Sequence, residues 1–233
     1  MSDPLRDTSA MLARMLGARS AFVVARPAQE TGDALAALAQ VEFVTPLDGH
    51  PVACVDLRAF AVEAREKGMP LLVDATACGP DGCAAVRLGA HAALVGISDS
   101  WCVVALSKDC AHAMPGVMGL MHDLPLMEEA DCRRVEELVR ARAAWWRASS
   151  DAAQVVANYL RCHPRVRALR YPGLKGDPSF AIAARTLEHG FGPLVDVLLD
   201  GGEGWERVTC TTEEPREQVI GLERRLAGGD IGT

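Results

Sequence analysis

No two cysteines in this chain are spaced C-x-x-C, no stretch of eighteen apolar residues occurs, and 24 Lys and Arg are outnumbered by 31 Asp and Glu. Each shortage closes off a class of function. A net charge of −7 and a pI near 5.4 argue against the basic stripe that nucleic-acid binding needs. Without a long apolar run there is no membrane-spanning helix to expect. Met1-Ser2-Asp3-Pro4-Leu5-Arg6-Asp7 has no basic flank leading into an apolar stretch, so the reading predicts a cytoplasmic protein with neither nucleic acid nor membrane as partner. Cys54, Cys78, Cys83, Cys102, Cys110, Cys132, Cys162 and Cys210 are expected to be reduced and mostly core residues. Cys78 and Cys83 stand close, but no second pair or neighbouring histidine completes a zinc set, so no metal is expected. No Gly-x-Ser-x-Gly elbow marks a hydrolase nucleophile, and Gly201-Gly202-Glu203-Gly204 lacks both the P-loop lysine and the dinucleotide glycine spacing. Internal repeats and low-complexity runs are missing too.

What is present is a chain of 233 residues, 49% hydrophobic, able to bury a core of one large domain or one and a half. Helices are predicted over Thr8–Leu16, Gln29–Gln40 and Asp56–Lys67. Short apolar strands are predicted over Ala21–Ala25, Val41–Val44 and Pro70–Asp74, with a loop over Pro46–Pro51. Strands apolar on both faces and alternating with helices predict a parallel sheet covered on two sides. Cys83–Leu88 reads as helix, then His91–Ile97 and Trp101–Leu106 as strands, joined through Ser98-Asp99-Ser100 by a hairpin or a crossing. Asp131–Leu160 carries a long helical pattern with Trp145 and Trp146 inside it, one ring expected buried and the other half-buried, and its exposed side a candidate contact surface. The expected organisation is therefore 1–130 as a large domain, 131–160 as a connecting helix and 161–233 as a small α+β part, with 228–233 a frayed tail.

Asp74 closes the apolar strand Leu71-Leu72-Val73, where open α/β sheets bind ligands. An Asp there equally suits a turn or a helix cap. Further on, Val156-Ala157-Asn158-Tyr159-Leu160-Arg161-Cys162-His163-Pro164-Arg165-Val166, Tyr171-Pro172-Gly173-Leu174 and Gly190-Phe191-Gly192 read as a helix stopped before a proline, a strand, a Pro-Gly turn, a second helix and a glycine-rich entry into another strand.

In that order these segments resemble the Cys/Met-metabolism enzymes that use pyridoxal phosphate (PLP), the cystathionine γ-synthase, γ-lyase and O-acetylhomoserine sulfhydrylase group. The resemblance implies a type I, aspartate-aminotransferase-like α/β large part with a parallel-rich sheet and a reduced C-terminal α+β part. It implies that Asp74 is the partner of the PLP pyridine nitrogen, that Thr76 and Ser98 flank the cofactor, and that subunits associate as homo-oligomers or with an intact paralogue. It also exposes departures. Asp48 stands in place of an asparagine near the ring hydroxyl. Aligned without gaps, Gly96-Ile97-Ser98-Asp99 falls on the family's S-x-T-K, which replaces the Schiff-base lysine with Asp99; a gapped alternative uses Ala105-Leu106-Ser107-Lys108 and makes Lys108 the catalytic lysine. Ala25-Arg26-Pro27-Ala28 replaces the Ser-Gly-Met turn that holds the phosphate, and the N-terminal Tyr-x-Arg element has no counterpart. Glu217 takes the place of the substrate-carboxylate arginine, with Arg216 one residue away as a candidate. The implied function is a degenerate homologue kept as a scaffold or regulatory partner; the alternative is an active PLP-dependent C–S lyase or γ-replacement enzyme on cysteine-like or homoserine-derived amino acids.

Overall fold

Asp3 opens the first helix: its carboxylate accepts the Arg6 N–H at 3.2 Å, Pro4 fills the first helical position, and α1 runs Pro4–Met15 until Gly17 turns the chain at φ +66°. The computed structural model describes residues 3–228. Of the tail expected at 228–233, Gly228 ends the last helix, and residues 229–233 lie outside the described residues. The chain divides into two units: residues up to Pro46 with Asp56–Ala143, and Leu47–Val55 with Ala144 onward.

In the first unit, β1 (Ser20–Val24), α2 (Ala28–Ala36) and β2 (Glu42–Val44) follow α1. Leu47–Asp48 (β3), inside the segment expected as a loop, pairs with Ala53–Cys54 (β4) in a small hairpin that belongs to the second unit. The first unit resumes with α3 (Leu57–Glu66), capped by the Asp56 carboxylate on the Ala59 N–H at 3.3 Å, and β5 (Leu71–Asp74). After a 3-10 turn at Thr76–Cys78 come the one-turn α4 (Gly79–Gly82), β6 (Ala92–Ser98), β7 (Trp101–Leu106), α5 (Cys110–Ala113) and α6 (Val117–Asp123). The helix expected at Cys83–Leu88 is a series of turns instead. The Arg87, Leu88 and Gly89 N–H groups donate three residues back, to the Ala84, Ala85 and Val86 C=O, and Gly89, at φ +114°, closes the turn through Ala90 N–H to Ala85 C=O.

The five strands lie in the order β1-β7-β6-β5-β2, with β2, β5 and β6 parallel and β7 antiparallel to both neighbours. Ser98-Asp99-Ser100 is thus a hairpin. Leu72, Leu94, Cys102 and Val104 join Leu35 of α2, Cys110 of α5, and Val117 and Met121 of α6 in one apolar cluster. Their strand neighbours Leu71, Val73, Val95 and Val103 point to the opposite face and are equally buried, so the sheet is covered on both sides, as its continuous apolar strands require.

The helix α7 (Cys132–Leu160), 29 residues and roughly 43 Å long, is divided between the units at Ala143–Ala144. In the second unit it is followed by β8 (Val166–Arg170), α8 (Phe180–Thr186), β9 (Leu194–Leu199), β10 (Trp205–Thr209) and α9 (Pro215–Gly228), with an antiparallel sheet ordered β10-β9-β8. The signature segments are bound to α7. Trp146 is fully buried and its indole N–H donates to the Glu188 C=O at 2.9 Å, whereas Trp145 is half-buried. The Tyr171 hydroxyl donates to the Ser150 C=O at 3.1 Å, and the Ser150 hydroxyl accepts the Gly192 N–H at 3.0 Å.

Candidate functional site

Parallel β5 and β6 finish at the same edge of the first sheet but not at the same level. Asp74 pairs with Leu94, so Val95–Ser98 run on past it and leave a step. The chain after Asp74 folds into that step. The Asp74 carboxylate accepts the Thr76 N–H at 2.9 Å, and the Thr76 hydroxyl accepts the Gly96 N–H at 2.9 Å. Glycine is required at 96, since a Cβ there would meet the Thr76 methyl at 2.7 Å. From α7, the half-buried Arg142 donates Nη2–H to the Thr76 C=O at 2.8 Å, and burial lowers its guanidinium from the usual arginine value.

Thr76, Gly96 and Arg142, together with the start of α2 at Pro27–Ala28 and the β6–β7 turn, bound a cleft of about 410 Å³ beside Asp74. Asp74, Thr76 and Ser98 are therefore brought to one edge. Ser98 is exposed and its hydroxyl accepts the Ser100 N–H at 3.3 Å; Asp99, at the tip of the same turn, is exposed beside it. The buried Cys102 thiol donates to the Thr31 hydroxyl at 3.3 Å behind the cleft, and its pKa is raised first by burial and further by the Asp74 charge.

Lys108 is not brought there. Because β7 returns antiparallel to β6, Leu106 pairs with Ala92 and Ser107 N–H donates to the His91 C=O, so Lys108 emerges at the opposite edge. The length of β7 separates it from Asp99 by roughly 20 Å, beyond the span of a lysine side chain. The gapped alignment that makes Lys108 a Schiff-base lysine is at odds with this geometry. Of the chain's three lysines, Lys67 is at that opposite edge as well, bonded at 2.6 Å to Glu42 at the start of β2, and Lys175 is an exposed residue of the second unit.

The residues at the Asp74 edge do not fit a covalently held PLP. Where the resemblance would put the Schiff-base lysine stands the Asp99 carboxylate, and the Thr76 side chain fills the space over Gly96. The edge offers hydroxyls, a guanidinium and two carboxylates, a set that can hold a polar molecule but cannot form an imine with it.

The remaining sequence candidates lie in the second unit. Asp48 is an exposed residue of β3, and Arg216 is exposed in the first turn of α9. Sequence reasoning passed over Arg142. Its only signal is an arginine on the apolar-facing stripe of a helix otherwise rich in solvated charges. Seven cysteines are buried and Cys162 is exposed; burial pushes the Cys110 thiol up to about 11 and the Cys210 thiol up to about 12. No group of three metal-ligating side chains occurs among the described residues, and none of their helices is long and apolar enough to cross a membrane.

No protein-family model and no curated protein matches the chain. Solved structures do. The apo form of a methionine gamma lyase from Micromonospora echinospora superposes with a TM-score of 0.74 at 19% identity, over 98% of this chain and 86% of that one. A structure of the same protein described as a cystathione gamma lyase gives 0.74 at 18% identity, over 98% and 88%. The chain has the mixed α/β, parallel-rich fold of the type I PLP gamma-lyases.

Proposed function

We propose that this chain is a non-catalytic relative of the PLP-dependent enzymes of sulfur amino-acid metabolism, a cytoplasmic scaffold or regulatory partner that associates with itself or with an intact paralogue. One observation carries the reading: the turn beside Asp74 and Thr76 bears Asp99, and both lysines of the first unit stand at the other edge of the sheet. A carboxylate cannot condense with an aldehyde, and it repels the phosphate and phenolate of the cofactor. The segment Ala25-Arg26-Pro27-Ala28, which enters α2 without a glycine turn, supports the same conclusion. The gamma-lyase fold supports descent from such enzymes.

The test is to incubate purified protein with PLP, dialyse, record the visible spectrum, reduce with borohydride and map the peptides, while assaying release of 2-oxo acid from sulfur amino acids. The expected result is no retained chromophore and no turnover. A stoichiometric aldimine at one lysine together with turnover would overturn the reading. Light scattering of the purified chain then tests self-association, and co-purification with an intact homologue tests pairing.

A further inference from the structure

At the edge of the first sheet where β5 and β6 begin, a second cleft of about 410 Å³ opens, and three cations border it: Arg19 before β1, Arg65 in the last turn of α3, and Lys108 after β7. Asp109 is the one acidic residue along its wall. In a chain of net charge −7, three cations against one anion at a concave surface run counter to the molecule as a whole. Neutral donors stand among them. His91 Nδ1 accepts the Leu71 N–H at 3.0 Å, which leaves the ring proton on Nε2. Burial first, and the Arg65 charge second, lower His91 below its usual 6.5 against the opposing effect of Asp109, so at neutral pH the ring is an uncharged donor. Ser107 also lines the cleft, and its hydroxyl is buried beneath it with no hydrogen-bond partner among the described residues. Its own backbone N–H is bonded to the His91 C=O at 2.9 Å, so hydroxyl and imidazole belong to adjoining strand ends. A neighbouring hollow shares Arg65 and His91 and adds His112.

We propose that this cleft binds a small, doubly charged oxyanion of the phosphate type, with Arg65, Arg19 and Lys108 supplying charge and the Ser107 hydroxyl and His91 N–H supplying neutral hydrogen bonds. Two guanidinium forks and an ammonium group match a tetrahedral oxyanion in charge and in donor geometry. A buried hydroxyl without a partner is a group that such a ligand would satisfy. The site is independent of the Asp74 edge and requires no cofactor there.

The experiment is a calorimetric titration of the full chain with inorganic phosphate at pH 7.5, with ionic strength held constant by sodium chloride and the histidine ring signals followed by NMR in parallel. Saturable binding with a shift of His91 is expected. Arg65→Gln and Lys108→Gln should each weaken it about tenfold, the size of one charge-assisted contact. Arg133→Gln, on the exposed side of α7 with its ion pair to Glu137, should leave it unchanged. Both cleft substitutions are of exposed side chains, and circular dichroism checks that the variants fold. No saturable heat beyond the chloride baseline, or wild-type affinity in Arg65→Gln and Lys108→Gln, would overturn the proposal.

Discussion

Asp196 and Arg207 face each other across β9 and β10 in a two-point ion pair, Nε to Oδ1 at 2.8 Å and Nη2 to Oδ2 at 2.7 Å. The Asp196 side chain is fully buried and also accepts the Val52 N–H, while Arg207 Nη2 donates to the Gly49 C=O at 2.6 Å. One pair therefore fastens the β3–β4 hairpin to the three-stranded sheet. Arg207→Ala leaves a buried carboxylate uncompensated and should destabilise the protein by about 3 kcal/mol, whereas Asp196→Asn with Arg207→Ala should recover part of that loss. Urea denaturation measures both, and hydrogen exchange should show the Val52 amide opening first.

Asp177 organises the turn after the Tyr171-Pro172-Gly173-Leu174 segment. Its carboxylate accepts from the Arg170 guanidinium at 2.9 Å, the Tyr171 N–H at 3.0 Å, and the Ser179 N–H and hydroxyl at 2.8 and 2.7 Å. Burial disfavours its charge, but the hydrogen bonds from Ser179 and Arg170 outweigh burial and hold the carboxyl below its usual 3.8. Because the folded value is depressed, the stabilisation is complete above about pH 4 and disappears as pH falls through the folded value. Asp177→Asn should cost about 2 kcal/mol at neutral pH and flatten the acid limb of stability against pH. Thermal melts from pH 2 to 7 decide it.

His91 gives the opposite assignment of protons. Its folded value lies below 6.5, so the unfolded chain takes up the proton first, and stability contributed by the neutral ring declines as pH drops below about 6.5. His91→Gln, which keeps a donor and an acceptor, should remove that decline between pH 6.5 and 5. An NMR titration of the ring in the folded protein provides the check.

Gly190 sits at φ +147°, and a Cβ there would lie 2.4 Å from the Ser150 hydroxyl oxygen. Gly190→Ala should cost about 3 kcal/mol, combining backbone strain with a clash that pushes Ser150 off Gly192. Gly204→Ala, at an exposed position with nothing within 4 Å, should change stability by less than about 0.5 kcal/mol. The two melting curves compare directly.

Native thiol titration should show one fast-reacting group per chain, Cys162, against eight after denaturation. Fast modification of a second thiol in the native protein would contradict the buried placement of the other seven.

Much of the sheet was legible because β5, β6 and β7 are short apolar runs bounded by turn residues, and local pattern is enough to specify such strands. The Asp74 edge was legible for the same reason. Lys108 shows where local reading stops. The hairpin at Ser98–Ser100, one of two options open in the sequence, by itself commits β7 to an antiparallel return and so carries Lys108 to the far edge. Similarity of residue types around Lys108 could not reveal this, because the alignment contains no direction. Arg142 and Thr76 are 66 residues apart, and Val52 and Asp196 are 144 apart, so neither contact leaves any periodic or motif signal. Cys83–Leu88 has helical composition, and only the glycines on either side argue against a helix there.

The β3–β4 hairpin joins the second unit although it is made early in the chain. During synthesis, Leu47–Val55 must wait exposed until Asp196 and Arg207 have been added, well over a hundred residues later. A closure of that span is a slow, high-contact-order step. No single cut in the polypeptide releases the second unit whole: a fragment starting at Ala144 would lack the strand pair whose Val52 amide and Gly49 carbonyl satisfy Asp196 and Arg207. Division of this chain into independently expressed halves would have to carry the hairpin along, by permutation or by fusion.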